Sequence, residues 1–442
     1  MMVMTRLVAA VAVGLIVGLR SIAFAQPAPP AGGAPLRLAD LQRAARNADA
    51  RAREIELLAS QTELRLHNID IERLPAVSAA GQSQLQSDVP TAPFTLPNGA
   101  PAFAPPKFTY DASVRIDQRI VDPSIGPRRA LAHADLAESQ ARVRTSLFAL
   151  RQEVNDNFFA AAVLQEQFGA LRASIDDLEA RLRETSVRVR EGVALPAEAA
   201  AVEAALLRNR QQADEVKAAR TAALQRLATL TGTAIAADAA TILPDLADAA
   251  AQARAAIDRI RARPEYEQFD RARDRVARQE DVTAAGERVQ LSTFGRFGYG
   301  RPGLNFISDQ AEPYALAGIQ LQWKAWTWGA SARERQALAL QRAVVAAEES
   351  AFTTSIRRAL QTDLATIDRL QDAAASDDRI IALREDIDRT ARVRLQEGAT
   401  TAAEYVDRRT EWLTAQFDRA RHRVELAQAR ARLLTTLGLE VP

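Results

Sequence analysis

The chain has 442 residues, with 57 Lys and Arg against 56 Asp and Glu, 3 His and no Cys. The absence of cysteine excludes disulfide frameworks, thiolate zinc sites, iron–sulfur clusters, cysteine nucleophiles and lipid-modified cysteines. A net charge near zero argues against a nucleic-acid partner.

The first residues have the pattern of an export signal. Arg6 precedes an apolar run over residues 7–19, and Ala23-Phe24-Ala25 has the small-x-small form of a signal-peptidase site. A membrane anchor is the alternative interpretation, but the run is shorter than the roughly 20 apolar residues that span a bilayer. We therefore expect a signal peptide over residues 1–25 and a flexible, Pro-rich mature N terminus over residues 26–35.

The two halves of the remaining chain resemble each other. VRVREG at 187–192 matches VRLQEG at 393–398, and TLTG at 229–232 matches TTLG at 435–438, in both cases 206 positions later. The match predicts a duplicated unit of about 200 residues that reads helix, strand, strand, long helix, tight turn, helix. The expected boundaries are a first repeat at 36–232, an equatorial linker at 233–247, a second repeat at 248–438 and a tail at 439–442.

Each half contains a segment suited to one very long helix. Residues 330–397 contain no Gly and no Pro. In the first half, the only Gly or Pro between Pro127 and Gly192 is Gly169. Apolar residues recur there at spacings of three and four, as in coiled-coil helices. Such a helix is roughly 100 Å long. A structural coiled-coil rod would account for these helices, but not for the export signal or for the strands described next.

Four shorter segments alternate apolar and polar residues with the period of two that is typical of strands. They are residues 75–86, 108–119, 288–300 and 314–326. Their lengths suit tilted strands of an outer-membrane barrel, although an ordinary soluble sheet gives the same pattern. Four strands cannot close a barrel, and lipid does not tolerate open sheet edges. If this sheet enters a membrane, several chains must therefore share one barrel.

The duplicated order of elements over residues 36–438 resembles that of the TolC-like outer-membrane efflux proteins. Local similarities include RLPAVSAAGQ at 73–82, REGVALPAEAAAVEAAL at 190–206 and QEGATTAAEYVDRRTEWL at 396–413. The resemblance implies a mainly α-helical chain with a membrane β-barrel segment. It also implies a homotrimer, in which three chains build a twelve-stranded barrel and a twelve-helix α-barrel tunnel across the periplasm.

The function that this resemblance implies is a passive exit duct in the outer membrane of a Gram-negative bacterium. The duct would serve a tripartite efflux pump or a type I secretion system. Its partners would be a periplasmic adaptor, an inner-membrane transporter of the RND or ABC type, and outer-membrane lipid, with no nucleic acid. The alternatives are a structural coiled-coil protein and a periplasmic coiled-coil adaptor, which should show one hairpin flanked by β-rich domains.

The resemblance also assigns roles to residues in two tight turns, the expected tip hairpins at 187–200 and 393–407. There Gly permits the reversal of the chain, and the implied adaptor contacts are Gly192, Val193, Gly398 and Ala399. The acidic residues Glu404, Asp407 and Glu198 occupy positions of the kind that line the narrow periplasmic aperture in the family. A ring of carboxylates favours cations. The alternative interpretation is ordinary first-turn acids that a helix dipole favours.

Three tryptophans, Trp323, Trp326 and Trp328, precede the second long helix. They form either part of an aromatic girdle at the membrane interface or a small core at the junction of strand and helix. We find no Gly-rich phosphate loop, no nucleophile elbow and no metal-ligand spacing among the histidines. The sequence therefore predicts no enzyme, no metal site and no cofactor.

Overall fold

A computed structural model describes residues 35–90, 97, 105–255, 257–305 and 310–442 of the chain. The expected signal peptide at 1–25 lies outside the described residues, as does all but the last residue of the 26–35 segment. The described elements, in chain order, are α1 (Leu38–Ala48), α2 (Ala50–Ile71), β1 (Ala76–Leu85), β2 (Phe108–Val121), α3 (Ile125–Arg190), α4 (Pro196–Thr231), α5 (Ala247–Ala255), a 3₁₀ helix (Ile257–Ala262), α6 (Pro264–Ala285), β3 (Gln290–Arg301), β4 (Glu312–Gln322), α7 (Ala330–Gln396) and α8 (Ala402–Thr436).

The four strands form one antiparallel sheet in the order β1-β2-β3-β4. Val114 on β2 lies opposite Phe297 on β3, which in turn lies opposite Ala315 on β4. Because side chains alternate across a strand, this register gathers the apolar residues of neighbouring strands on one face. β1 and β4 are the edges of the sheet, and among the described residues each has a strand neighbour on one side only.

The last strand is shorter than the sequence predicts. We expected it to reach residue 326, but β4 ends at Gln322, which lies opposite Gln290, the first residue of β3. Beyond Gln322 the chain has no neighbouring strand of its own to pair with, so Trp323 and Trp326 lie in the connection to α7. The observed ends of β1, β2 and β3 differ from the expected ones by no more than two residues.

The four helices that adjoin the strands pack side by side in the same order as the strands. α2 leads into β1, β2 into α3, α6 into β3, and β4 into α7, and the helices pack in the same sequence, with α3 between α2 and α6 and with α6 against α7. α3 and α7 contain 66 and 67 residues, so each is roughly 100 Å long. Each then forms a hairpin, α3 with α4 and α7 with α8.

The main hydrophobic core lies where the two hairpins meet the short helices α1 and α5. Phe158 and Phe159 of α3 are fully buried there, in an edge-to-face contact with ring centroids 5.3 Å apart. Leu227 of α4 and Leu433 of α8 are in the same cluster. A fully buried aromatic or leucine side chain contributes about 1.5–3 kcal/mol relative to an exposed one. This cluster therefore fixes the two halves of the chain to each other.

The segment expected to be the equatorial linker crosses α3 and α4 beside that core. Leu36 N donates to Ala240 O at 2.7 Å, and Ile242 N donates to Leu36 O at 3.0 Å. Gln165 of α3 accepts from Thr241 N at 2.8 Å, and Arg220 of α4 donates to Ala239 O at 2.6 Å. The linker is thus held by both helices of the first hairpin and by the chain segment that precedes α1.

An ion pair lies at the start of α2 and another at the start of α6. The acidic residue comes first at α2, and the basic residue comes first at α6. Asp49 accepts from Arg51 N at 2.8 Å and caps α2, and the Arg51 guanidinium holds the pKa of Asp49 below its usual value. This break between α1 and α2 contains no Gly or Pro. At α6 the charges are exchanged, because Arg263 pairs with Glu265 and donates to Thr436 O, at the end of α8, at 3.1 Å.

Gly438→Ala should destabilise the protein at this second junction. Gly438 has φ +80°, and a Cβ atom there would lie 2.9 Å from the Arg263 N atom. We expect a loss of about 2–4 kcal/mol from backbone strain and overpacking, measured as a lower midpoint of thermal unfolding by helical circular dichroism. Gly169→Ala is the control, because a Cβ there meets nothing within 4 Å and should stabilise α3 by about 0.5–1 kcal/mol. An unchanged midpoint for Gly438→Ala would contradict the packing described.

Candidate functional site at the hairpin tips and the sheet

The two tip turns have the same construction. Gly192 and Gly398 have φ values of +75° and +73° and end α3 and α7 in the left-handed conformation. The residue after each glycine closes the turn, because Val193 N donates to Arg188 O at 2.9 Å and Ala399 N donates to Arg394 O at 2.8 Å. This hydrogen-bond pattern satisfies helix C-terminal carbonyls and lets the chain reverse.

The acidic residues of the tips differ in their surroundings. Glu198 is half-buried, and its carboxylate accepts from Leu195 N at 3.4 Å at the start of α4. Glu404 is exposed and accepts from the Thr400 hydroxyl at 2.5 Å. Asp407 is exposed one turn further along α8, and within the described residues no ion pair reaches it. Glu404 and Asp407 therefore present two carboxylates on one side of the second tip.

A small apolar cluster joins the two hairpins just above these turns. Leu178 of α3 and Val202 of α4 pack with Leu395 of α7 and Tyr405 of α8, all of them buried. The Arg188 guanidinium donates to Leu395 O at 3.1 Å and crosses between the hairpins. The structure thus brings the tip residues of both halves to one end of the molecule.

A buried charge network that the sequence pattern does not predict lies beside this cluster. The Tyr405 hydroxyl donates to Asp177 Oδ2 at 2.8 Å, and Arg409 reaches Asp388 at 3.3 Å and the Asp177 carboxylate at 3.5 Å. Arg392 is 3.6 Å from both carboxylates. The network connects α3, α7 and α8. Its only sequence signal is that charged residues interrupt apolar stripes of long helices.

The network is incompletely hydrogen-bonded. In the described structure Asp388 Oδ1, Arg392 Nε and Arg409 Nε are buried without a hydrogen-bond partner, and a buried group left in this state costs free energy. Burial, together with the neighbouring Asp177 carboxylate, raises the pKa of Tyr405 to about 12. The phenol therefore stays protonated and keeps its role as donor through neutral and moderately alkaline pH.

The sheet has two chemically different faces. The apolar face carries Val114, Ile116, Phe297, Ile319 and Leu321, all exposed in the single chain. Aromatic residues lie at both ends of this face, with Phe108, Tyr110 and Tyr299 near the β1–β2 and β3–β4 loops and Trp323 at the opposite end. These ends are roughly ten residues apart, about 33 Å along a strand, which at a tilt of about 40° is near the 25 Å height of a membrane barrel's apolar band.

The opposite face of the sheet is polar and internally paired. Arg115 and Arg296 lie directly opposite each other on β2 and β3. Arg115 pairs with Asp117 at 2.8 Å, and Arg296 pairs with Asp111 at 2.5 Å. Charges of both signs thus cancel locally along this face. Its polar character suits a water-filled interior, as in barrels whose outer face meets lipid.

The three tryptophans are exposed rather than packed into a small core. Trp323, Trp326 and Trp328 keep 60%, 74% and 81% of their surface accessible in the single chain. Trp326 and Trp328 contact each other edge to face, with ring centroids 5.9 Å apart. Trp328 also has φ +53°, a strained value for a bulky residue, followed by Gly329 at +72°. The turn into α7 therefore holds large aromatic surfaces away from the chain's own core.

The described residues contain no arrangement of His, Cys, Asp and Glu that would bind a metal ion through three or more of them. None of the helices in the same residues has an apolar stretch that could cross a bilayer.

Comparison with solved structures identifies the fold. The chain superposes on CusC, a protein studied for transmembrane channel formation, with a TM-score of 0.69 at 11% identity, over 92% of this chain and 93% of that one. It superposes on the outer-membrane protein VceC of Vibrio cholerae with a TM-score of 0.66 at 12% identity, over 91% and 96% of the chains. The open state of the MtrE outer-membrane channel of Neisseria gonorrhoeae gives 0.65 at 17% identity, over 91% and 89%.

The chain has the TolC-like fold of outer-membrane channels. No protein-family model matches the sequence, and no curated protein matches it. The likeness is therefore one of structure across almost the whole chain. The resemblance inferred from the duplicated helix and strand pattern is confirmed at the level of this TolC-like fold, as is its mainly helical composition with a small sheet.

Tyr405→Phe should loosen the tip of this TolC-like fold. The variant keeps the ring in the apolar cluster but removes the donor to Asp177, at a cost of about 1–2 kcal/mol. We expect faster backbone hydrogen exchange in the first turns of α8. Tyr266→Phe is the matched control, because its hydroxyl contacts Thr353 in the main core, so exchange at the tip should not change. Equal protection of α8 in wild type and Tyr405→Phe would show that the hydrogen bond does not hold the tip.

The same residue gives a pH prediction with a definite sign. The folded pKa of Tyr405, about 12, lies above the value of 10.0 for a free phenol. Its contribution is therefore fully present below pH 10 and is lost as the pH rises through about 12. Hydrogen exchange of α8, corrected for the intrinsic effect of pH, should accelerate in that window in the wild type more than in Tyr405→Phe. The same acceleration in both proteins would contradict this assignment.

Proposed function

We propose that this chain is the outer-membrane channel of a tripartite efflux pump or of a type I secretion system. Three copies would contribute four strands each to a twelve-stranded β-barrel, continued by a twelve-helix tunnel across the periplasm. The observation that carries the proposal is the sheet. Among the described residues it has one apolar face, one polar face and two edges without a further strand, and it continues into helices of roughly 100 Å. Lipid requires every backbone polar group to be paired, so such a sheet must close with others.

The proposed role is passive. Nothing in the sequence points to catalysis, so the energy for export would come from an inner-membrane transporter of the RND or ABC type. A periplasmic adaptor would join that transporter to the tips, where Gly192, Val193, Gly398 and Ala399 form the exposed turns. The export signal expected at residues 1–25 agrees with this location in a Gram-negative outer membrane.

The tip acids would form the periplasmic aperture. Threefold symmetry would gather six carboxylates from Glu404 and Asp407, which are exposed on the second tip of each chain. Glu198 would add its charge from the first tip, where its carboxylate also accepts a hydrogen bond at the start of α4. Such a ring attracts cations and raises the barrier to anions.

The lipid contacts would come from the apolar face of the sheet and its aromatic ends. Trp323 continues the alternation of β4 on that face and would lie at the periplasmic interface of the bilayer, where tryptophan is favoured. Trp326 and Trp328 follow at the same level, in the connection to α7.

The experiment that tests this function is reconstitution of the purified protein into planar lipid bilayers. We expect discrete, cation-preferring conductance steps, because the acidic aperture would be the narrowest charged part of the path. A protein that associates with the bilayer but never conducts, under any voltage or salt gradient, would overturn the proposal.

The double variant Glu404→Ala with Asp407→Ala tests the aperture specifically. It should lower the preference for cations, measured as a reversal potential in a salt gradient, and should weaken block by divalent cations. The control is Glu334→Ala with Glu348→Ala, which removes the same charge from exposed positions of α7 far from the tip. If both double variants shift the reversal potential equally, the acids do not line the aperture.

A further inference from the structure

The two halves of the chain correspond residue by residue around the sheet. α2 and α6 both contain 22 residues and begin at Ala50 and Pro264, which are 214 positions apart. α3 and α7 begin at Ile125 and Ala330, which are 205 positions apart. The same two shifts convert the register of β1 with β2 into that of β3 with β4, since the pair Ala80–Ser113 becomes the pair Phe294–Gly318.

Around the sheet, the end of the first half packs against the start of the second half. The equivalent contact, from the end of the second half to the start of the first, is not made within the described residues. β2 and α3 of the first half pack against β3 and α6 of the second, through pairs such as Ile116–Gly295 and the Glu138–Arg275 ion pair at 2.6 Å. The corresponding surfaces on the outside are β4 and α7 at one edge, and α2 and β1 at the other. Neither has a neighbour beyond it among the described residues.

We propose that these two edges join neighbouring copies in the register of the internal contact. This inference rests on the proposed channel, in which copies share one barrel, and adds the residues that meet at the boundary between copies, here called the seam. In the pair Ile116–Gly295, moving Ile116 forward by 205 positions and Gly295 back by 214 places Leu321 opposite Gly81 of the next copy. The same shifts of the pair Arg115–Arg296 place Gln320 opposite Gln82 of the next copy.

The register of the seam keeps the faces of the sheet continuous. Leu321 and Gly81 both belong to the apolar face, and Gln320 and Gln82 both belong to the polar face. A slip of one residue would set the apolar face of one copy beside the polar face of the next. The shared barrel then has one apolar outside and one polar inside all the way around.

The seam also pairs large side chains with small ones. The apolar face near β1 has a shallow depression of about 580 Å³, lined in part by Ala79, Gly81 and Ala112. The register places Trp323 opposite Ala79 and Leu321 opposite Gly81 of the next copy. Both large side chains are more than half exposed in the single chain. The depression is therefore suited to receive the next copy's β4 side chains, and this occupant is a second copy of the chain.

Two further pairs of exposed residues meet at the same seam. The internal pair Val121–Leu291 translates to Trp326 opposite Val77 of the next copy. On the helices, Glu138–Arg275 translates to Ala343 opposite Gln61, which sets Leu340 level with Leu64 one turn closer to the sheet. Leu340 and Leu64 are 69% and 68% exposed in the single chain. Trp326, at its proposed level near the bilayer interface, would therefore also contact the next copy.

Cysteine cross-linking in the full-length protein tests this register directly, because the natural chain has no cysteine. The seam variant carries Gln82→Cys and Gln320→Cys. Directly opposite Cβ atoms lie about 4.5–5.5 Å apart and diagonal ones about 7–8 Å, so only opposite pairs approach the geometry of a disulfide. Mild oxidation in outer membranes should link chains into covalent dimers and trimers on a non-reducing gel.

Three companion variants make the result decisive. Arg115→Cys with Arg296→Cys is the equivalent pair inside one chain and should form its disulfide without a gain in mass. Gln84→Cys with Gln320→Cys is two residues out of register and should not link chains. Ala80→Cys with Gln322→Cys obeys the proposed register and should link them, so that one poorly folding variant does not decide the outcome.

The alternatives give different results. Linking by the Gln84 and Gln320 pair instead would overturn the register while the channel proposal stands. Multimeric protein in which the internal disulfide forms but neither in-register pair links chains would show that these edges do not meet a neighbouring copy in this register. Wild-type protein that is monomeric after detergent extraction would remove the shared barrel itself, and the seam with it.

Discussion

The two outer strands of the sheet each leave one edge unpaired among the described residues, and the arrangement of the other elements follows from how these edges are satisfied. A strand edge presents a row of N–H and C=O groups that water can satisfy but lipid cannot. The same sheet displays an apolar face with aromatic residues at both ends, which is suited to lipid rather than water. These two properties are compatible only if other strands complete the sheet. The proposed assembly supplies them with the chain's own copies.

The helices take their arrangement from the sheet at one end and from the tip at the other. Because each strand continues into a helix, the order of the strands becomes the order of α2, α3, α6 and α7. Apolar packing fixes the middle, where Phe158 and Leu433 are fully buried. Close to the tips, buried charges around Asp177 and Arg409 lie beside a second, smaller apolar cluster.

Local features of the sequence were enough to predict the strands, the long helices and the tip turns. Alternation gives a strand such as β3, uninterrupted helical spacing gives α7, and Gly398 gives the turn, because each signal acts over a few residues. The break at Asp49 was missed because an aspartate cap with no Gly or Pro leaves a weak local signal. The network of Tyr405 with Asp177 joins residues 228 positions apart, which no periodicity reveals. The early end of β4 depends on where β3 begins and so on pairing, not on composition.

The measurement that most directly tests the shared barrel is the native mass of the protein extracted in detergent from washed outer membranes. We expect a single species with the mass of three mature chains, because four strands per chain cannot close a barrel in lipid and three copies supply twelve. A monomer recovered in the soluble periplasmic fraction would contradict it, since the sheet would then be stable with its edges in water and its apolar face covered in another way.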